Sequence, residues 1–401
     1  MKLVFYSVVL NQHQAPVADE LWELTGHQYA FVELTNLSDT KGGTEDYSKR
    51  PYLIRAWENQ DSFQKAMNLA KHADCCVFGG VDALPFQKER MRLGLLSFDM
   101  SERWLKKGWK SLASPRLHKW LFAYFLGGWG RKPLYKLCMS GFAADDHYKL
   151  GTFREKCYKW GYFTEVNSSV IIGYNLIKRL PESQHAKLKP ENKIFHLMWC
   201  ARFLKWKHPE LAVCLAKRLK DRGFQFILDM YGDGECRHQI ESMVHELDLR
   251  ENVTIHGNQP NEIVREAMEQ SDIFLFTSDR YEGWGAVANE SMSCGCVLVA
   301  SDAIGSTPYL VSDGVNGCVF SSPSPSSSFD NPDQNALESL TDKVTLLLDD
   351  RKCMREIQQN AIHTMRSLWN PKQAAVNLLQ LITDLKNEMD TSILEGPCSK
   401  A

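Results

Sequence analysis

The sequence predicts an α/β protein of two domains, each built on a parallel sheet. Three observations lead there. Short runs such as "SDIFLFTS" and "CVLVAS" are apolar, β-branched or aromatic, the composition of strands buried on both faces. Helical segments alternate with such runs, many of them ten or more residues long, which is the pattern of parallel sheets. At 401 residues the chain is long enough for two domains of ordinary size.

In the N-terminal half "KLVFYSVVL" reads as a strand, and "APVADELWELT" as a helix with Pro16 in its first turn. The opening apolar run has no small-residue cleavage site and continues into a helical pattern, so it is read as a first strand and not as a signal peptide. "YAFVEL" is a second strand, "SFQKAMNLAKHA" a helix, and "DCCVFGG" and "LGLLSFD" are further strands. A basic, aromatic segment follows to about residue 170. A hinge is expected within "LPESQHAKLKPENK", which is polar and proline-bearing.

The second series is clearer. "KIFHLMWC", "FQFILDMYG" and "NVTIHG" are strands, separated by the helices "PELAVCLAKRLKDRG" and "CRHQIESMVHELDL". "NEIVREAMEQS" is a helix leading to "SDIFLFTS". After it, "AVANESMS" is a short helix ending at Gly295, a natural residue for a helix C-terminus. "SSPSPSSSFDNPDQN" is low-complexity and reads as a surface loop. "LESLTDKVTLLLDD" and "PKQAAVNLLQLITDLKNEM" are helices, and residues 390–401 read as frayed. The domains expected are residues 1–180 and 190–370, with a helix over 371–390 packing back toward the N-terminal domain.

The formal charge of −2 gives no global bias toward nucleic acid. No stretch of eighteen consecutive apolar residues suggests a membrane span. The twelve cysteines are scattered without a Cys-x-x-Cys pair, which points to reduced thiols in a cytoplasm. Cys294-Gly-Cys296 has no second pair of ligands nearby in sequence, so no metal site is expected there.

The chemistry concentrates in the second half. In "ARFLKWK" Arg202 and Lys207 emerge at the carboxyl end of a strand, where two cations can neutralise a diphosphate. In "DRYEGWGAVANESMS" a glycine turn and a helix start follow another strand, and unpaired helix-end amides also favour anions. Glu282 and Glu290 would repel phosphates, so in such a site they should face hydroxyls, which an ionised carboxylate accepts well. Diphosphate on the basic side and hydroxyls on the carboxylate side describe one ligand, a nucleotide sugar.

"EGWGAVANE" resembles the E-x7-E signature of retaining GT-B glycosyltransferases, family 4 especially. The similarity runs from "CARFLKWK" through "YGDGE" and "NVTIHGNQPNEIVREAMEQSDIFLFTSDRYEGWG" to "SCGCVLVASDAIGSTPYLVSDGVNGCVF". The resemblance implies two Rossmann-like domains whose parallel sheets face across a cleft, the N-terminal one on the acceptor side and the C-terminal one binding the nucleotide sugar. It implies that Arg202 and Lys207 hold the donor diphosphate, that Glu282 binds the transferred sugar and that Glu290 binds the ribose. Gly283, Trp284 and Gly285 would bring backbone amides to sugar and phosphate, and the loop carrying Asn258 and Gln259 would pass beside the base. The reaction implied is transfer of a sugar, with retention, to a glycan or lipid-linked acceptor, as in surface polysaccharide synthesis. No Asp-x-Asp occurs, and basic side chains can replace a metal's charge, so neither metal nor cofactor is expected. A sugar-nucleotide epimerase or phosphorylase of similar fold, or a non-catalytic sugar-binding protein, are the alternatives.

The N-terminal half departs from the family pattern. Where many relatives carry a glycine-rich loop after the first strand, this chain has "NQHQAP". His13 and Glu102, each following a predicted strand, and Gly80, near the end of one, are the acceptor-side candidates. Residues 103–144 contain no Asp or Glu, yet carry Arg103, Lys106, Lys107, Lys110, Arg116, Lys119, Arg131, Lys132 and Lys136, interleaved with four tryptophans. One reading is a partly buried helix pair with a solvated basic face. Another, given to residues 103–136, is docking on an anionic membrane surface or a lipid-linked acceptor, since tryptophan and lysine both suit the headgroup region. Nucleic-acid binding lacks any supporting motif. The protein is expected in the cytoplasm, peripheral on the membrane if this segment docks there.

Overall fold

The first apolar run forms strand β1 (Leu3–Ser7), with all its residues buried. The computed structural model describes residues 1–36, 47–164, 194–329 and 331–401. They divide into two units, Met1–Glu165 with Leu368–Ala401, and Val166–Ser367. The expected hinge, residues 180–193, and with it the boundary between residues 180 and 190, lies outside the described residues.

In the first unit β1 is followed by α1 (Ala15–Leu24), β2 (Tyr29–Glu33), β3 (Leu53–Arg55), α2 (Gln60–His72) and β4 (Cys75–Gly79). Then come α3 (Leu84–Leu93), β5 (Ser97–Ser101), α4 (Pro115–Phe125), β6 (Leu134–Cys138), α5 (Ala143–Lys149) and β7 (Cys157–Lys159). The strands form one parallel sheet in the order β3-β2-β1-β4-β5-β6-β7. The central strands are buried nearly throughout because helices cover both faces, which explains their unbroken apolar runs. A last helix, α13 (Pro371–Lys386), belongs to this unit and packs on α1. Its start is fixed by Asn370, whose side chain accepts a hydrogen bond from the Gln373 N–H.

The second unit runs β8 (Phe195–Cys200), α6 (Pro209–Asp221), β9 (Phe226–Tyr231), α7 (Arg237–Glu246), β10 (Val253–Gly257), α8 (Asn261–Gln270) and β11 (Ile273–Phe276). It continues with α9 (Val287–Ser293), β12 (Val297–Ser301), α10 (Thr307–Leu310), β13 (Cys318–Phe320), α11 (Gln334–Asp349) and α12 (Arg351–Ser367). Its six-stranded sheet, again parallel, has the order β10-β9-β8-β11-β12-β13. The turn after α9 is where glycine was expected: Gly295 has φ +86°.

Several expectations need correction. The strand expected at "LGLLSFD" begins only at Ser97, because α3 runs to Leu93 and Gly94 ends it with φ +68°. The basic segment is not a helix pair. It holds two 3₁₀ turns (Gly108–Ala113 and Trp129–Arg131), helix α4 begun by Pro115, strand β6 and the first residues of α5. The C-terminal residues are not frayed. Cys398 and Ser399 are buried, the Cys398 N–H donates to the Lys159 carbonyl at 2.7 Å, and the Lys159 N–H donates to the Ser399 carbonyl at 2.8 Å. The chain end therefore extends the hydrogen bonding of β7. All twelve cysteines are free thiols. Among the described residues no helix is long and apolar enough to cross a membrane.

Candidate active site

In the second sheet the chain builds outward from β8 in one direction to β9 and β10, and in the other to β11, β12 and β13. The switch point therefore lies between β8 and β11, and ligands of open parallel sheets bind beyond the carboxyl ends of strands at such a point. Lys207 follows β8 and Glu282 follows β11. The structure brings them together: the Lys207 ammonium is ion-paired with Glu282 Oε2.

The loop after β8 is fixed from two sides. Gly232 and Gly234 let the loop after β9 lie against it, since a Cβ on Gly232 would stand 2.0 Å from the Ala201 carbonyl oxygen and one on Gly234 2.5 Å from that of Phe203. Phe203 is fully buried, and its N–H donates to the Asp233 carbonyl at 2.9 Å. Arg202, between two anchored residues, points its exposure to solvent. Farther along, Thr277 Oγ donates to the Lys207 carbonyl at 2.7 Å, and the Asp279 N–H donates to the Trp206 carbonyl at 3.0 Å. The indole N–H of Trp199 on β8 donates to Thr277 Oγ at 2.9 Å. Two strand ends are thus tied by hydrogen bonds, and the Lys207 ammonium, 4.4 Å from the Trp206 ring centroid, has a defined place.

Glu282 is buried and also accepts from Ser278 Oγ at 3.1 Å. The turn around it needs glycine at position 285: φ is +77°, and a Cβ would lie 2.2 Å from the Phe276 ring. Trp284 is fully buried, its indole donating to Asn289 Oδ1 at 2.8 Å, so its side chain anchors the turn and only its backbone can face a ligand. Gly283 beside it is buried as well. Helix α9 is seven residues long, so any anion preference there comes from first-turn amides. Glu290 on α9 is buried. Burial raises its pKa, against the opposing charge of Arg265. Burial and then Glu290 also push the Cys200 thiol at the end of β8 up to about 12, while Lys207 lowers it. Glu290 and Lys207 therefore share one electrostatic neighbourhood.

Asn258 and Gln259 follow β10, two strands from β8, and both are exposed. The Gln259 amide donates to the His256 carbonyl at 3.0 Å, so it braces its own loop. Beside them the Tyr231 and His256 rings stack with centroids 4.5 Å apart and planes 9° apart, and His256 Nε2 lies 2.6 Å from Asp229 Oδ1. Sequence reasoning missed Tyr231, Thr277 and Ser278. Their common signal is a hydrogen-bonding residue standing at the end of a buried strand.

The first unit repeats the topology, with its switch point between β1 and β4. His13 follows β1, Gly80 follows β4 and Glu102 follows β5, so all three stand at carboxyl ends of neighbouring strands. His13 Nδ1 is buried without a hydrogen-bond partner, and burial pushes its pKa down to about 4, leaving a neutral ring. Gly80 adopts φ +89°, and Glu102 pairs with Lys106 at 3.5 Å.

Residues 181–364 match the family model described as glycosyl transferases group 1. The alpha-D-kanosaminyltransferase of Streptomyces kanamyceticus is 28% identical over 165 residues, 41% of this chain and 39% of that protein. The amylovoran biosynthesis glycosyltransferase AmsK of Erwinia amylovora is 27% identical over 143 residues, 34% of this chain and 35% of that one. The chain thus spans well under two thirds of the length of these curated relatives. The crystal structure of Anabaena Alr3699/HepE in complex with UDP superposes with a TM-score of 0.65 at 16% identity, covering 97% of this chain and 100% of that one. Residues 181–364 are thus similar to the glycosyl transferases group 1 family, and the chain as a whole, with its two parallel sheets, has the fold of the Anabaena structure.

Proposed function

We propose that this protein is a retaining, metal-independent glycosyltransferase that moves a hexosyl group from a nucleoside-diphosphate sugar to a glycan or lipid-linked acceptor in surface polysaccharide synthesis. The observation that carries the reading is the Lys207–Glu282 pair across the β8/β11 switch point, with Glu290 buried nearby. When the donor arrives, the Lys207 ammonium can leave Glu282 for the diphosphate, freeing the carboxylate to accept a sugar hydroxyl. Arg202 adds a second cation at the same loop. As the bond from the anomeric carbon to the diphosphate oxygen breaks, these charges stabilise the leaving group. An acceptor hydroxyl attacking from the face the diphosphate leaves gives retention, its proton passing to the departing oxygen. The UDP complex of the Anabaena protein supports a nucleoside diphosphate as the donor's leaving group.

The test is incubation with a panel of nucleotide sugars and candidate acceptors, with the anomeric configuration of the product read by NMR. Retention, unaffected by a chelator, is expected. Inversion, or activity abolished by chelator and restored by magnesium, would overturn the respective part of the reading. Product formed without any acceptor would favour the epimerase alternative.

Glu290→Gln is expected to weaken binding of the free nucleoside diphosphate by about 1.5–3 kcal/mol, the cost of losing a charged acceptor at a buried hydroxyl. Calorimetric titration of wild type and variant checks it, and equal affinities would remove Glu290 from the site.

The same reading makes the protein peripheral on the inner face of the membrane. Supporting it, Trp109, Phe122, Phe125 and Leu126 are exposed on the segment that carries Lys110, Arg116 and Lys119. Aromatic side chains insert at the headgroup level and each cation adds about 1 kcal/mol near an anionic surface. Cosedimentation with anionic vesicles, weakened by salt, is expected. Binding indifferent to lipid charge would refute it.

A further inference from the structure

The strongest unassigned feature is a cavity of about 750 Å³ in the first unit, at the carboxyl ends of β4 and β5. That volume suits a ligand of sugar size or somewhat larger. Its two ends differ in chemistry.

The buried end carries a carboxylate and a hydroxyl held rigidly. Asp99 of β5 is ion-paired with Lys136 of β6, a lysine with no exposed surface, and accepts from the Gln87 amide at 3.3 Å. Lys136 also donates to Ser101 Oγ at 2.7 Å, and the Trp104 indole donates to the same oxygen at 2.8 Å. Trp104 and Trp120 meet edge to face, centroids 4.4 Å apart, and both line the cavity. Asp146 holds this wall: it takes the Arg103 guanidinium at 3.1 and 3.3 Å and the Leu105 N–H at 2.9 Å. A fixed carboxylate beside indole surface suits a ring that presents hydroxyls on one side and C–H groups on another.

The outer end is cationic. Lys106 is paired with Glu102, but among the described residues Lys107, Lys110, Arg116 and Lys119 have no acidic partner. Four such charges around one opening, in a chain of formal charge −2, raise the local concentration of anions. Arg103 and Lys136, from the same basic stretch, are neutralised by Asp146 and Asp99. The basic segment therefore divides into charges that build the wall and charges left for a ligand.

We propose that this cavity binds a glycosyl phosphodiester, with the sugar at Asp99 and the tryptophans and the phosphate among Lys107, Lys110 and Arg116. This deepens the transferase reading and rests on it for the ligand's role: the acceptor is then a sugar already joined through phosphate to an apolar carrier. The binding site itself stands independently of that role.

The experiment titrates the full chain with monomeric octyl glycosyl phosphates (glucosyl, galactosyl and N-acetylglucosaminyl), the corresponding neutral octyl glycosides, and octyl phosphate, with UDP titrated into the same samples. At least one glycosyl phosphate is expected to bind about tenfold or more tighter than both its neutral glycoside and octyl phosphate, with the margin over the glycoside shrinking in salt. The triple variant Lys107→Gln, Lys110→Gln, Arg116→Gln is expected to lose that margin and keep wild-type affinity for UDP. Equal binding of the neutral glycosides, equal binding of octyl phosphate, no binding across the panel, or a triple variant that retains the margin would each overturn the proposal. UDP binding without glycosyl phosphate binding sinks this inference alone. Glycosyl phosphate binding with no nucleotide binding supports the cavity and sinks the transferase reading.

Discussion

Replacing Lys207 by alanine is expected to lower turnover about 100- to 1000-fold, the loss typical of removing one preorganised charge partner of a transition state. The apparent donor constant should change far less, because negative charge on the leaving diphosphate grows as the glycosidic bond breaks. Arg202→Ala should cost less, since its side chain is exposed while Lys207 is set by Thr277, Trp206 and Glu282. Removing the ammonium also leaves the buried Glu282 carboxylate unpaired, which destabilises the resting site. Melting curves of Lys207→Ala and of Lys207→Ala with Glu282→Gln separate that effect from catalysis. The double variant should regain stability without regaining turnover. Unchanged turnover of Lys207→Ala at saturating donor would make Lys207 a binding residue only.

The second unit was readable because β8, β11 and β12 are buried on both faces and so are written as continuous apolar runs. Strand β6 was not, because its centre is Lys136, and a charge in mid-strand argues against burial until its partner Asp99 is known. The three-residue strands β3 and β13 are too short to show a period. Helix α12 escaped for a different reason. It is mostly polar, yet Met354, Ile357, Ala361, Ile362 and Met365 are buried at helical spacing, so the stripe was present and overlooked. At the site, the residue types of Arg202, Lys207, Glu282 and Glu290 were legible, as were the strand-end positions of the first three and the place of Glu290 on a short helix. The pairing of Lys207 with Glu282 was not, because it depends on β8 and β11 being neighbours, a fact of topology rather than of local pattern. The expectation sets diphosphate and hydroxyl groups on separate sides, and in the structure the cation and the carboxylate expected to meet them are ion-paired with each other.

That topology also buries a histidine, with a consequence for stability against pH. His208, next to Lys207, opens α6 with φ +48° and is 2% exposed. Its Nδ1 lies 2.7 Å from Glu210 Oε1, and its Nε2 lies 3.5 Å from Asp279 Oδ2. Burial by itself would lower the pKa of this ring, but Asp279 and Glu210 outweigh it and raise the value to about 9. The folded protein therefore binds this proton more tightly than the unfolded chain, in which the histidine titrates near its ordinary 6.5. The stabilisation is complete below that ordinary value and is lost as pH rises through about 9, an effect on the order of 3 kcal/mol. His208→Gln cannot carry the charge and leaves two buried carboxylates facing a neutral amide. At about pH 6 it should be much less stable than wild type, and by about pH 10 the gap should nearly close. Adding Glu210→Gln should recover part of the loss at the lower pH by removing one of the uncompensated charges. Denaturant unfolding across that range, on wild type and both variants, measures it. A gap that stays constant with pH would mean that His208 is held as a neutral hydrogen-bonded ring. Because the Asp279 N–H holds the Trp206 carbonyl, deprotonation of His208 acts on the anchor of the loop that carries Lys207. Turnover in wild type should accordingly decline over the same high-pH interval, and His208→Gln should lack that decline.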